Sequence, residues 1–266
     1  MTITIFFDKV YFYNYILYMC IINKDGRRLN MKLTGTVESN MRKFIKNEIG
    51  RYPGITNEII EERWKHTQRV YKLVIELSDQ LKADTECLKV AALWHDACKY
   101  KPSEEGHAYE SAKLCISYLI SNNIGTSNEQ MKIYNTILLH TDKETRKTLT
   151  KEQMILQDAD ILDKFTLAYC KIRYRRQHEF INVVNFISNK IGKAYKSYRL
   201  IKTSAGFIKM HKLINDLEKE LESQKTLNGK ILYFDSKVLA RVSARLGISS
   251  TALSDALNKE WWHNIY

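Results

Sequence analysis

The chain is poor in the residues that punctuate a backbone. Two prolines and ten glycines in 266 residues leave collagen-like, linker-rich and sandwich-type architectures without their turn chemistry. Paired cysteines are missing as well. Cys20, Cys87, Cys98, Cys115 and Cys170 form no CxxC pair and no even framework, which is the usage of a reduced, cytoplasmic protein. The apolar stretch Val10–Ile22 (VYFYNYILYMCII) is only 13 residues long, short of the roughly 20 that a membrane-spanning helix needs. Lys24, Arg27 and Arg28 follow that stretch rather than precede it, and no small-residue cleavage site is evident, so it is a poor secretory signal. Three readings stand for it: a Tyr-rich element packed on the body, a weak membrane anchor, or an extension upstream of the true start. The expectation is an extension over 1–55, because Met31 opens MKLTGTVESNMRKF as a natural beginning would.

Hydrophobic residues make up 44% and charged residues 27%, an ordinary balance for a folded domain. A chain of this length can bury a core without disulfides. Lys, Glu and Leu are plentiful where Pro and Gly are not, which favours helices. The net charge of +12 is unevenly placed. Residues 1–55 carry 9 Lys/Arg against 4 Asp/Glu, residues 56–165 carry 15 against 18, and residues 166–266 carry 18 against 8. An acidic middle suits cation binding. A basic C-terminal region suits phosphate or nucleic acid, or is simply a solvated face.

Periodicity predicts helices throughout. His66, Val70, Leu73 and Leu77 share one face of a helix over 58–81. A second helix is expected over 88–100 and a third from Ser103 to about Ser121, with a loop over 122–128. A fourth is expected from Met131 to His140, then a polar loop or lid over 141–152, then a fifth from Met154 to about Arg176. Residues 180–224 read as helical throughout, with Ile214, Leu217 and Leu221 as a core stripe.

The chemistry-bearing residues lie in the acidic middle. His66, His95, His107 and His140 each fall on the inner face of a different expected helix. His95 and Asp96 are adjacent, Lys99 follows one turn on, and Asp158 and Asp160 stand in QDADILDK. A single histidine on an apolar face is usually a satisfied core residue, and a single Asp near a helix start is usually a cap. Together they would place four imidazoles and two carboxylates inside one bundle. Buried carboxylates are costly unless paired or metal-bound, and imidazole with carboxylate suits a divalent transition metal: Mn, Fe, Co, Ni or Zn.

The order His66, His95-Asp96, His107, His140, Asp160 resembles the HD-domain phosphohydrolase superfamily, whose namesake doublet is here LWHDACK. The resemblance covers about residues 56–176. HDACK is similar to the HDxxK form of HD-GYP phosphodiesterases and of symmetrical dinucleoside-tetraphosphate hydrolases, and QDADILDKF resembles small HD proteins that cleave nucleoside triphosphates to pyrophosphate. The Gly-Tyr-Pro motif is absent, which argues against a cyclic-dinucleotide enzyme of the first kind. The resemblance implies an all-α bundle and a metal-dependent phosphohydrolase acting on a nucleotide or related small molecule. It implies that His66, His95, Asp96 and Asp160 hold a first ion. Asp96 would bridge to a second on His107 and His140, and whether one or two bind stays open. It implies that Lys99 orients the doublet or meets a substrate phosphate, and that a water acidified by the metal attacks phosphorus. Asp158 and Asp163 are expected to orient ligand histidines.

Lys171, Arg173, Arg175 and Arg176 follow the last of these residues. Arg173 and Arg176 are the candidates for phosphate binding, against a plain cationic face. The third region, 177–266, is expected to be a basic helical extension. Within it, 236–259 (SKVLARVSARLGISSTALSDALNK) reads either as a helical hairpin or as a repressor-type helix-turn-helix. The second reading carries the alternative function, a metal- or nucleotide-sensing regulator that binds nucleic acid. The oligomeric state stays open.

Overall fold

Seven of the helix starts in this chain are marked by the same device. Thr34, Thr56, Asp84, Thr126, Thr150, Thr166 and Asn182 each turn a side-chain oxygen onto a backbone N–H of the following first turn, which satisfies a donor that the helix itself cannot. At Thr126 and Thr150 the partner three residues on, Glu129 or Gln153, closes the reciprocal half of a capping box. In this computed structural model, residues 31–144, 148–176 and 182–228 are described. They form α1 (Gly35–Ile49), α2 (Asn57–Leu81), α3 (Thr85–Trp94), α4 (His107–Ser121), α5 (Ser127–Leu138), α6 (Lys151–Asp163), α7 (Leu167–Arg175), α8 (Val183–Ser197), a 3-10 turn (Tyr198–Leu200) and α9 (Ser204–Asn228). No strand occurs among the described residues, so the fold is all-α, as expected. The segment 1–30 and the 236–259 motif lie outside the described residues.

The centre of the bundle is α3. Leu88 and every residue from Val90 to Trp94 are fully buried, so the C-terminal half of this helix is enclosed on all sides. Helices α2, α5 and α6 surround it. Phe44 of α1 packs its ring against Trp94 and Tyr118, with centroids 5.6 and 5.0 Å away. Met41, Ile45 and Ile49 of α1 join the same core. The stripe Ile214, Leu217 and Leu221 is also buried there, and α9 lies along α8 and packs on α6 and α2. Among the described residues, no helix is long and apolar enough to cross a membrane.

Four boundaries differ from the sequence expectation. The second helix stops at Trp94, and i→i+3 bonds from Ala97 to Trp94 and from Lys99 to Asp96 wind 95–100 into turns. The third begins at His107 rather than Ser103, because Gly106 adopts φ +83° and Ser103 donates to Glu110 instead of capping. The fourth begins at Ser127, where Thr126 and Glu129 form their box, and ends at Leu138. The expected single helix over 154–176 breaks after Asp163: Thr166 donates to the Asp163 carbonyl and accepts from Tyr169 N–H, starting α7 anew.

The expected helix over 180–224 is also broken, between α8 and α9, and this break corrects one residue's role. Asp158 does not face a histidine. Its Oδ1 accepts from Lys202 N–H at 2.9 Å, and its Oδ2 accepts from Thr203 N–H at 2.9 Å and Thr203 Oγ1 at 2.7 Å. It faces away from the cluster because successive even positions of a helix diverge by about 200°. Burial raises the Asp158 carboxyl to about 6 against the pull of those bonds. Gly206 lies so close that a Cβ there would stand 2.4 Å from Asp158 Oδ2 and 2.9 Å from Ile201 Cγ2. Asp158→Ala therefore leaves buried donors without an acceptor, and should cost about 1–3 kcal/mol. Gly206→Ala should also destabilise. Urea unfolding checks both, as lower midpoints with an unchanged slope.

Candidate metal centre

The cluster is assembled from helix ends. Arg63, His66 and Arg69 stand at intervals of three on α2. His95 is the C-cap of α3, and Asp96 follows in the turn. His107 is the first residue of α4. His140 sits two residues past the end of α5, and Asp160 and Asp163 are in the last turn of α6. Sequence separations of up to 97 residues, between His66 and Asp163, close to a 2.7 Å contact.

Asp96 is the hub. Its Oδ2 lies 3.5 Å from His66 Nε2 and 3.7 Å from His95 Nε2, and its Oδ1 lies 3.0 Å from His107 Nε2 and 3.5 Å from His140 Nε2. One carboxylate thus joins two groups: His66, His95 and Asp96, and Asp96, His107 and His140. In each group the ligand atoms lie within 4.8 Å of one another. Asp160 meets the first group at His66, 3.4 Å from Oδ1 to Nε2. Its other oxygen is taken by the Lys143 ammonium.

The hydrogen bonds fix which nitrogens are bases. His66 Nδ1 is 2.7 Å from Asp163, His95 Nδ1 is 2.8 Å from the Ala92 carbonyl, and His140 Nδ1 is 2.7 Å from the Ile137 carbonyl. Each Nδ1 faces a pure acceptor and must donate to it, so each Nε2 in the neutral ring carries a lone pair. The Nε2 atoms of His66 and His95 nevertheless face each other at 3.1 Å. Two lone pairs at that distance repel unless a proton or cation lies between them. Asp96 Oδ1 is buried and accepts no hydrogen bond, an expensive state for a carboxylate oxygen. Converging imidazole lone pairs, a bare carboxylate oxygen and near-complete burial form a donor set that fits a divalent transition metal.

The charge states follow from burial and from the neighbouring charges. Burial pushes His95 down to about 3 against the pull of Asp96, so its ring is neutral. Burial also opposes the charged form of His66, but its bonds to Asp163 and Asp96 and the charge of Asp160 outweigh it and raise its pKa. For Asp96, burial is overcome by the surrounding histidines, which hold the carboxyl well below its ordinary range. For Asp160, burial is overcome by Lys143 and Lys164.

The structure therefore gathers His66, His95, Asp96, Lys99, His107, His140, Asp160 and Asp163. Lys99 Nζ stands 3.0 Å from His107 Nε2 and 3.5 Å from Asp96 Oδ1. Arg173 and Arg176 are on the wall of the same cleft, which encloses about 570 Å³. Arg176 is already engaged with Glu58 and Glu62 of α2, whereas Arg173 has no ion-pair partner among the described residues.

Sequence reasoning missed three cations. Arg63 Nη1 donates to Asp96 Oδ2 at 2.7 Å. Arg69 grips Asp163 through Nε at 2.6 Å and Nη2 at 3.1 Å. Lys143 holds Asp160. The first two carry a legible signal, three residues either side of His66 on one helix. Lys143 carries none, because it lies in a turn.

Residues 63–164 match the family model described as the HD domain. A curated relative, the symmetrical bis(5'-nucleosyl)-tetraphosphatase of Bacillus subtilis (strain 168), is 26% identical over 109 residues, which are 41% of this chain and 51% of that protein. The chain thus spans about half the length of this relative. Among solved structures, an HD-superfamily hydrolase from Bacillus thuringiensis is similar with a TM-score of 0.54 at 20% identity, over 72% of this chain and 97% of its own. Bacillus subtilis YpgQ in complex with ADP gives 0.51 at 15% identity, over 71% and 93%. These likenesses show a shared fold. The match, the shared fold and the His-Asp doublet at the hub of the cluster agree: residues 63–164 of this chain are an HD domain.

Proposed function

We propose that the protein is a metal-dependent phosphohydrolase that cleaves a phosphoester or phosphoanhydride of a nucleotide. The observation that carries this reading is Asp96, a buried carboxylate shared between two histidine groups with one oxygen left without a hydrogen bond. In this reading His66, His95, Asp96 and Asp160 hold one ion. Asp96, His107 and His140 hold a second where two are bound. When present, a divalent ion supplies a hydrolytic nucleophile near neutral pH and positive charge against the phosphoryl oxygens. Mn, Fe, Co, Ni and Zn all suit these ligands.

The protein's own groups do the rest. Asp163, itself clamped by Arg69, fixes the His66 ring so that Nε2 faces the cluster. Arg63 offsets the charge of Asp96. Lys99 stands where a phosphate oxygen beside His107 would meet it. Arg173, without an ion-pair partner among the described residues, binds phosphate from the outer wall. The cleft continues past these cations to Tyr100, Tyr169, Ile59 and Ile172, a surface on which a planar base can lie. The tetraphosphatase relative and the ADP held by YpgQ support a nucleotide as the substrate class. The buried free thiols Cys87, Cys98, Cys115 and Cys170 support a reducing compartment, the cytoplasm.

A panel of nucleoside mono- and triphosphates, dinucleoside polyphosphates and cyclic dinucleotides, with Mn, Fe, Co, Ni and Zn supplied in turn, tests the activity. Turnover should require metal and vanish in Asp96→Ala. If metal content and hydrolysis were unchanged in that variant, the assignment would be wrong. Asp163→Asn should weaken metal binding by about 10–100-fold, the usual cost of losing a ligand's orienting partner, measured by chelator competition. Arg173→Ala should raise KM and leave metal content unchanged.

A further inference from the structure

The chain invests heavily in placing Lys143. Gln157 of α6 donates from Nε2 to the Leu139 carbonyl at 2.6 Å and the Asp142 carbonyl at 3.1 Å. Lys202 reaches across from the break between α8 and α9 and donates from Nζ to the Lys143 carbonyl at 2.8 Å. Lys202 is itself held through its backbone N–H by Asp158. Arg199 pairs with Glu144 at 2.8 Å. The backbone at 142–144 is thus tied from two directions, and the Lys143 side chain runs inward, 16% exposed, to the carboxylate of Asp160.

That ammonium occupies one oxygen of a residue whose other oxygen faces His66. Asp160 also stands apart from the tight group of His66, His95 and Asp96. A divalent ion on that group needs negative charge, and the carboxylate beside it is already neutralised. A divalent ion and the buried Lys143 ammonium on one carboxylate repel each other strongly, more than the largely exposed Lys164 does. The Lys143 backbone is fixed, but its four-carbon stem can rotate, and the space it would turn into is the cleft beside Lys99 and Arg173.

Resting on the metal-centre reading above, we propose that Lys143 is the cluster's resident cation. It competes with a divalent ion for Asp160, and once the ion has taken the carboxylate the freed ammonium binds a phosphate oxygen in the cleft. Metal and phosphate then bind with positive coupling, because each relieves a charge that the other leaves exposed.

The test titrates metal-free, full-length protein with Mn²⁺, reading free Mn²⁺ by electron paramagnetic resonance, with and without inorganic phosphate. Lys143→Gln and Lys143→Met should each bind Mn²⁺ about tenfold more tightly than wild type when phosphate is absent, and phosphate should no longer tighten binding. Lys164→Gln is the control for bulk charge. Its Nζ lies 3.7 Å from Asp160 Oδ2 on a side chain 48% exposed, so solvent screens it and the change should stay under about threefold. Matching thermal unfolding curves establish that the variants fold. If the Lys143 variants bind no more tightly, or Lys164→Gln matches them, the inference is overturned while the metal centre stands. If wild type binds Mn²⁺ no better than Asp96→Ala, the metal reading fails and this inference with it.

Discussion

Asp96 is a carboxylate held in the interior with four imidazoles and a guanidinium around it. Burying such a group without compensation costs several kcal/mol, and the arrangement of the bundle follows from meeting that cost. Arg63 answers one oxygen. The other is surrounded by ring nitrogens that do not donate to it. A fold seeking only stability would have placed a hydroxyl or an amide there, or removed the carboxylate. What is conserved energetically is a set of lone pairs aimed at common points, and the surrounding contacts keep them aimed.

Those contacts are mainly backbone carbonyls and helix termini. His95 and His140 each donate Nδ1–H to the carbonyl three residues before them, so each ring is fixed by the end of its own helix. The same ends leave free carbonyls in any case, and the rings satisfy two of them. His66 has no such end available, since it is mid-helix in α2, and it takes Asp163 instead. Asp163 needs a cation beside it because it is fully buried, which is the role Arg69 fills. His66, His95 and His140 are thus each oriented by whichever acceptor their position in a helix offers.

This explains how far the sequence could be read. Histidines and acids at helix-sized spacings are legible because both the period and the residue type carry the signal, and Asp163 is the one of the two expected orienting carboxylates that meets a ligand histidine. The helix ends were harder. Trp94 to Tyr100 has no strong breaker before Pro102, so the change from helix to turns at His95 is set by tertiary contacts. The break after Asp163 was hidden in the same way, because Thr166 is a capping residue only once the chain has turned. Asp158 was misread because two carboxylates two residues apart look alike in sequence, while a helix sends them to opposite sides. Lys143 and Lys202 were invisible: their contact spans 59 residues and neither sits on a periodic face.

Nearly every cation on the wall of the cleft is matched to a carboxylate: Arg63 to Asp96, Arg69 to Asp163, Lys143 to Asp160, Arg176 to Glu58 and Glu62. Residues 56–165 as a whole are slightly acidic, so nothing in the bulk composition announces a site for anions. Local balance decides instead. On the proposed reading, a divalent ion held by Asp96 and Asp160 would add positive charge where Arg63 and Lys143 already pair with those carboxylates, and that excess calls for an anion. The anion that restores balance must carry more than one negative charge in a small volume. A phosphoryl group does so, and a neutral or singly charged ligand does not. On the proposed reading, preference for phosphate would follow from pairing the carboxylates in advance, with Arg173, which has no ion-pair partner among the described residues, placed to receive it.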